Sequence, residues 1–285
     1  MITYFQAIVL GLLQGVTELF PISSLGHTVI LPSVFGWHID QHADFFIVFL
    51  VATHLATALV LLAFYFDDWV KIIKGFFETL IARKINPHNA YQRLAWLLVI
   101  ATVPAGLLGL VFEHKLKDLF AEPGTVALFL IANGALLYGT EVLRKRRARL
   151  TLEKIAPDVT ISHLSFLDAL RVGGMQALAL LPGFSRTGAS LAGGLLTGLS
   201  HESAVRFSFL LATPIIFAAA ALKLPALFIA VHEYPIGPIL AGSIAAAIAA
   251  FVSVKFLTNY FKTKTLIPFA FYCVFAGAVS LLFIY

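Results

Sequence analysis

Six stretches of this sequence are apolar for long enough to cross a lipid bilayer, and no other feature narrows the fold as far. They run roughly over 45–66, 94–112, 124–143, 207–224, 239–256 and 266–285. A membrane-crossing helix takes about 20 such residues. Inside a bilayer every backbone N–H and C=O must find its partner within the protein, which leaves helices or a closed barrel. Runs of this length lack the short alternating pattern of barrel strands, so they read as helices. The composition agrees. With 60% hydrophobic residues and only 12% charged, the chain has too little polar surface to coat a soluble globule. Twenty-six phenylalanines argue against disorder. Cys273 is the sole cysteine, so a disulfide framework is excluded. The expected class is an all-α polytopic membrane protein, embedded in the lipid bilayer as a single membrane domain over 1–285. The first 70 residues hold no Lys or Arg, so no cleavable signal peptide is expected. The net charge of +5 needs no nucleic acid to explain it, because cationic loops beside spans give the same sum.

Those cations are unevenly placed. Segments 67–93, 144–171, 200–206 and 255–265 carry 5, 7, 1 and 3 Lys+Arg, while 1–44, 113–123 and 223–238 carry 0, 2 and 1. The positive-inside rule puts the first set in the cytoplasm. Span 207–224 must then start on the same face on which the third span ends, so the apolar stretch 166–199 enters the membrane and returns. By symmetry 1–44 dips in from the other face. The expected architecture is six transmembrane helices plus two re-entrant helical hairpins in an inverted-topology repeat. The halves are 1–143 and 165–285, joined by a basic cytoplasmic linker, 144–164. A faint internal echo accompanies it: at a constant separation of 162, Gln14 matches Gln176, Ser23 matches Ser185 and Gly26 matches Gly188. Inverted repeats place the working site near the midplane, where broken helices meet.

The first hairpin reads Gln14-Gly-Val-Thr-Glu18-Leu-Phe-Pro21-Ile-Ser23-Ser24-Leu-Gly26-His27. Gln14 and Glu18 share one helix face; Pro21 stops the helix, and a serine pair follows as a loop with a ready N-cap. A carboxylate at this depth costs several kcal/mol unless partnered, which marks it as functional. A plain capping role for Glu18 is the bland alternative. The second hairpin reads Leu181-Pro182-Gly183-Phe184-Ser185-Arg186-Thr187-Gly188-Ala189-Ser190. A Pro-Gly turn hands backbone N–H groups to a helix start, an anion site. Arg186 adds a planar fork suited to phosphate oxygens; an arginine reaching for lipid headgroups needs neither the turn nor three hydroxyls. One hairpin offers an acid, hydroxyls and a histidine, and the other offers phosphate-binding groups. Together they suit hydrolysis of a membrane-held phosphate ester or anhydride.

These two segments resemble the signature regions of the bacterial undecaprenyl-diphosphate phosphatase family, also called the bacitracin-resistance family. Its first motif is Glu or Gln, three residues, Glu, then Pro-x-Ser-Ser-x-Gly-His, met here by Gln14, Glu18 and Pro21 to His27. Its second is Pro-Gly-x-Ser-Arg-Ser-x-x-Thr, met by Pro182 to Ser190. The stretches Phe207 to Pro214 and Ile267-Pro268 are also similar, and the likeness runs from about residue 6 to the C-terminus. The departures are Gln14 where many members have Glu, Thr187 and Ser190 with their hydroxyls exchanged, Leu25 for a common Thr, and Cys273 where some members have Arg.

The resemblance implies hydrolysis of the polyprenyl lipid undecaprenyl diphosphate to undecaprenyl phosphate and phosphate, at the bacterial plasma (inner) membrane, in lipid-carrier recycling for cell-wall synthesis. Glu18, Ser24, His27 and Arg186 become the candidate catalytic residues. Ser24 is the candidate nucleophile and His27 its base, with Glu18 orienting His27 or binding metal; direct attack by water stays open. Ser23, Gly183, Ser185, Thr187 and Ser190 are the candidate substrate-binding residues. The family association with Mg²⁺ or Ca²⁺ makes Glu18 and Gln14 candidate metal ligands, two oxygens suiting Mg²⁺ with substrate phosphates. The alternative function is a secondary transporter or flippase of lipid phosphates, which uses the same broken-helix devices. His54, mid-span beside Thr53 and Thr57, reads first as a helix-packing hydrogen bond and second as a substrate contact. Gly11-xxx-Gly15 and Gly194-xxx-Gly198 read as close helix packing, with a homodimer seam as the alternative. The run Arg144 to Arg149 is a positive-inside anchor. Residues from Asp67 towards Arg93 suggest a short amphipathic cytoplasmic segment, and His38, His42 and His88 fall in loops without metal-ligand spacing.

Overall fold

The computed structural model describes residues 2–41, 43–86, 88–120, 122–150, 161–229 and 236–284. Residues 151–160 of the expected linker, and His42, lie outside them. Among the described residues the architecture is all-helical: α1 (Tyr4–Thr17), α2 (Ser24–Val34), α3 (Asp44–Phe64), α4 (Phe66–Ala82), α5 (Ala90–Phe120), α6 (Pro123–Leu150), α7 (Phe166–Gln176), α8 (Arg186–Leu196), α9 (His201–Ile229), α10 (Ile236–Tyr260) and α11 (Ile267–Ile284). Six are long and apolar enough to span a membrane: α3, α5, α6, α9, α10 and α11. They correspond to the six expected runs. Their outer faces carry large apolar side chains such as Ile244, Ile248 and Phe275, a surface that suits lipid and would associate in water.

The two interrupted stretches form α1 with α2 and α7 with α8. At 11 to 14 residues each, these helices reach roughly 16–21 Å at 1.5 Å per residue, short of a hydrocarbon core of about 30 Å. Their interruptions are written in the backbone. The α1 hydrogen-bonding pattern ends around Glu18, and Ser23, at φ 69°, turns the chain into α2. Gly183, at φ 103°, does the same before α8, a conformation glycine adopts without penalty.

Small residues decide how the helices meet. A side chain on Gly11 would overlap the carbonyl of Gly242, and one on Gly15 that of Ala246, so α1 lies against the backbone of α10. Gly173 seats α7 on the Ala101 carbonyl of α5 in the same way. Between α6 and α11 the contact is reciprocal: Gly134 faces the Ala270 carbonyl, and Gly277 faces the Ala127 carbonyl. Close approach of this kind replaces the missing hydrophobic drive between helices in lipid.

Several boundaries differ from the hydropathy reading: α5 runs on to Phe120 and α6 to Leu150, past the expected 112 and 143, so the first residues of the expected linker 144–164 continue a helix. The span expected to begin at 207 starts at His201, because Ser200 accepts the Ser203 N–H at 3.0 Å and opens a polar first turn that an apolarity window does not register. Arg206, read as a loop cation, therefore sits in α9, where it grips both Asp68 oxygens at 2.7 and 2.8 Å. The segment after Asp67 is indeed helical. In α4, Ile72, Gly75 and Thr79 are buried at helical spacing, and Trp96 of α5 donates to Thr79 Oγ1 at 2.9 Å. A second buried acid emerges at the far end of α6. Glu141 Oε1 lies 2.6 Å from His201 Nε2 and accepts the Leu266 N–H at 2.9 Å, tying α6 to the start of α9 and the start of α11.

Candidate active site

The end of α1 carries the acid. Glu18 caps the helix, its N–H bonded to the Gln14 carbonyl at 2.9 Å. One turn back, Gln14 Nε2 donates to Glu18 Oε2 at 3.2 Å. The chain returns through the Ser23 turn, where Ser23 Oγ accepts the Gly26 N–H at 3.2 Å and caps α2. This places Ser24 Oγ at 2.5 Å from Glu18 Oε2, donating to it. The positive φ of Ser23 is a local strain of about 1–3 kcal/mol, sustained because the surrounding bonds hold it.

The second hairpin delivers the cation. Ser185 caps α8 by accepting the Gly188 N–H at 3.0 Å, so Arg186 is the first residue of that helix. Its Nη2 donates to Glu18 Oε1 at 2.8 Å, with the two side chains 14% and 6% exposed. Arg186 Nη1 is buried and has no hydrogen-bond partner. The neighbouring hydroxyls hold the loops together: Ser185 Oγ donates to the Phe20 carbonyl at 3.3 Å and Thr187 Oγ1 to the Glu18 carbonyl at 2.8 Å. Ser190 Oγ bonds the Arg186 carbonyl at 2.9 Å and meets Ser208 Oγ at 2.5 Å. Gly183 packs on the Val126 carbonyl.

A third element joins them. His54, midway along α3, points Nε2 at Glu18 Oε2 from 3.2 Å, while Nδ1 sits 2.7 Å from the Leu50 carbonyl. Glu18 is thus flanked by Arg186 on one oxygen and by Ser24, Gln14 and His54 on the other. The bond to Leu50 lies within α3 itself, and the contact that reaches another element is the one to Glu18. His27 behaves differently from expectation. Its Nδ1 faces the Ser23 carbonyl at 2.6 Å, and its Nε2 faces the Tyr272 hydroxyl at 2.7 Å, with the two rings stacked. A carbonyl only accepts, so Nδ1 carries a proton. Both ring nitrogens are engaged away from Ser24 and Glu18.

The structure therefore brings together Gln14, Glu18, Ser24 and Arg186, sets Ser23, Ser185, Thr187 and Ser190 in the turns around them, and stations His27 beside Tyr272. Sequence reasoning passed over Asn133 of α6, whose amide reaches both hairpins. An uncharged polar residue at mid-span was the available signal. No group of three or more His, Cys, Asp or Glu able to cage a metal occurs among the described residues. Gln14 Oε1, however, is a buried acceptor without a partner, beside Glu18.

Chemically, the cluster holds a hydroxyl bonded to a carboxylate, a guanidinium with a free edge, and a histidine, all in a place that excludes most water. Such a set suits attack on an anionic centre. Comparisons with known proteins agree. The family described as "Bacitracin resistance protein BacA" matches residues 7–279. A protein of Mycolicibacterium paratuberculosis named "Undecaprenyl-diphosphatase" is 45% identical, covering 99% of this chain and 98% of its own length. "Undecaprenyl-diphosphatase 2" of Frankia alni is 41% identical over 98% and 97%, and "Undecaprenyl-diphosphatase 2" of Burkholderia thailandensis is 45% identical over 95% and 94%. With the match covering residues 7–279, both motif-bearing segments included, this chain belongs to the bacitracin resistance protein BacA family.

Proposed function

We propose that this chain hydrolyses undecaprenyl diphosphate to undecaprenyl phosphate and inorganic phosphate in the bacterial plasma membrane. The observation that carries this reading is the meeting of Glu18 and Ser24 from one hairpin with Arg186 from the other. Arg186, through its free Nη1, and the Ser185–Ser190 turn receive the diphosphate. Ser24 Oγ attacks the terminal phosphorus and passes its proton to Glu18 Oε2. The bridging P–O bond breaks, undecaprenyl phosphate leaves, and water then releases phosphate from Ser24. In-line geometry and charge stabilisation carry such a transfer. His54 supports the acid from the side away from Arg186. A divalent cation fits this site if it brings most of its ligands with it, since Gln14 Oε1 is unpartnered and Glu18 adjoins it. Mg²⁺ binds in that manner, through one or two protein oxygens and substrate phosphates. When bound, it adds positive charge at the phosphates.

The finer architecture belongs to the same reading: two re-entrant hairpins entering from opposite faces, in an inverted repeat. Four observations support it. The short hairpin helices do not reach across a bilayer. The α1–α10 and α7–α5 seams use Gly11 and Gly173, separated by the 162 residues of the motif echo. The α6–α11 seam is reciprocal. Phe49-Leu-Val-Ala-Thr53 of α3 also echoes Phe209-Leu-Leu-Ala-Thr213 of α9, and these two helices pack together. The same features favour a lipid-phosphate flippase as the second reading. Purified protein in detergent with labelled undecaprenyl diphosphate separates the two: phosphate release supports hydrolysis, and none leaves only transport.

A further inference from the structure

Asn133 lies in the middle of α6, fully buried, on neither hairpin and in neither motif. Its carboxamide is nevertheless completely used. Nδ2 donates to the Pro21 carbonyl at 3.0 Å and to Cys273 Sγ at 3.3 Å. Oδ1 accepts the Ser185 N–H at 3.1 Å. Pro21 stands three residues before Ser24, and Ser185 stands one residue before Arg186. One side chain therefore holds the backbone of both loops at the points where they turn into the helices that carry the nucleophile and the phosphate-binding cation. A mid-span carboxamide is unfavourable unless every polar atom is matched, and here each one is.

The other ties between the loops are made by Arg186, Ser185 and Thr187. Those are the groups that, in the hydrolytic reading, turn to the substrate. Asn133 alone of this set reaches both loops from a helix outside them, and its carboxamide meets their backbone and the Cys273 sulfur rather than the Arg186 guanidinium.

We infer that Asn133 is a positioning residue that fixes the spacing between the Ser24 loop and the Arg186 turn, and with it the distance from Ser24 Oγ to a phosphate held by Arg186. The inference rests on the hydrolytic reading. A misplacement of about 1 Å from outside the chemistry lowers turnover by about a hundredfold, while a phosphate grip contained within one loop is retained. The signature is a fall in kcat with KM nearly constant.

The test uses full-length protein in detergent and undecaprenyl diphosphate. Asn133→Asp keeps an acceptor for the Ser185 N–H but sets a carboxylate oxygen against the Pro21 carbonyl; kcat is expected to fall tenfold to a hundredfold, about the cost of such a misplacement, with KM within about threefold. Cys273→Ala, which leaves the Pro21–Asn133–Ser185 bridge intact, is expected to keep kcat within about threefold on the same argument. Should Asn133→Asp fail to yield monodisperse protein, Asn133→Ala is read in its place, because it adds no charge. Wild-type kcat in the variant that folds overturns the inference, and so does a rise in KM with kcat unchanged. Failure of both variants to fold makes Asn133 a fold requirement and overturns it too. Absence of phosphate release from wild-type protein removes the hydrolytic reading and this inference together, whereas an active wild type with unaffected variants removes this inference alone.

Discussion

Arg186 and Glu18 stand 168 positions apart in the chain and 2.8 Å apart in the fold. Each comes from the break in a different hairpin, so the pair exists only when both loops are in place. Replacing Arg186 with Ala is expected to lower phosphate release by about 10²–10³-fold, the usual result of losing one preorganised charge at the reacting centre. Arg186→Lys is expected to recover little, since a point charge cannot offer the fork. Stability separates the two roles. Glu18→Ala leaves the buried Arg186 unpaired, at about 3–5 kcal/mol, whereas Arg186→Ala leaves Glu18 still held by Ser24, Gln14 and His54 and costs less; the double variant is expected to melt above Glu18→Ala while staying inactive. Thermal denaturation in detergent, run beside the phosphate assay, checks both halves.

Ser24 is held by Glu18 at 2.5 Å, and the proposed route makes it the phosphate acceptor. Ser24→Ala is expected to abolish release to within background, and Ser24→Thr to retain a few per cent. Rapid acid quench during turnover, followed by mass spectrometry of the peptide containing residues 18–27, is expected to find phosphate on Ser24. Turnover by Ser24→Ala at the wild-type rate sinks the covalent route.

The two histidines near the cluster are expected to differ in weight. His54 touches the acid, so His54→Ala is expected to reduce kcat by about 10²-fold, the lower end of what a lost acid–base group costs. His27 is tied to Ser23 and Tyr272, so Tyr272→Phe is expected to change kcat by less than about fivefold, a lost relay being worth less than a lost contact with the acid. Steady-state kinetics on both variants decides this, and a larger effect for Tyr272→Phe reverses the assignment.

How far these assignments were visible beforehand depends on the type of residue. Glu18 and Arg186 were legible because charge deep in an apolar run is costly and therefore rare. The six spans were legible for the same reason, by hydropathy alone. The partner of Glu18 on α3 was not, since a lone mid-span histidine is satisfied equally well by a carbonyl one turn back, and His54 makes that bond as well. Asn133 carries no charge and lies in no motif, so its one signal is polarity at mid-span, and only three-dimensional proximity shows what it joins. The start of α9 was missed because a capped polar turn lowers the hydropathy at a helix entrance. Three residues of separation from Ser24 do not say where the His27 imidazole turns, and in the fold its nitrogens meet Ser23 and Tyr272.

Metal dependence is the fourth outcome to measure. With Gln14 Oε1 and Glu18 as the protein's contribution, chelation by EDTA is expected to lower phosphate release by about 10²-fold, and Mg²⁺ to restore it, in line with several kcal/mol of charge stabilisation. Gln14→Ala is expected to raise the Mg²⁺ concentration for half-maximal activity by about tenfold. Full activity after exhaustive chelation argues that Arg186 and His54 supply all the positive charge required.

Glu141 offers a control remote from these groups. It joins His201 and the Leu266 N–H, and Glu141→Ala is expected to lower the melting temperature while kcat stays within about twofold, the loss being one of about 3–5 kcal/mol in a buried network. A selective loss of kcat without a change in melting makes this second acid part of the reaction.

The reciprocal seam between α6 and α11 has a consequence for assembly. Gly134 meets Ala270 while Gly277 meets Ala127, the pattern by which two separate subunits recognise each other across a twofold axis. Such a surface carries its own address. A chain cut between Leu150 and Ile161 is accordingly expected to yield two fragments that find each other in the membrane, with the covalent connection contributing little beyond raising their effective concentration.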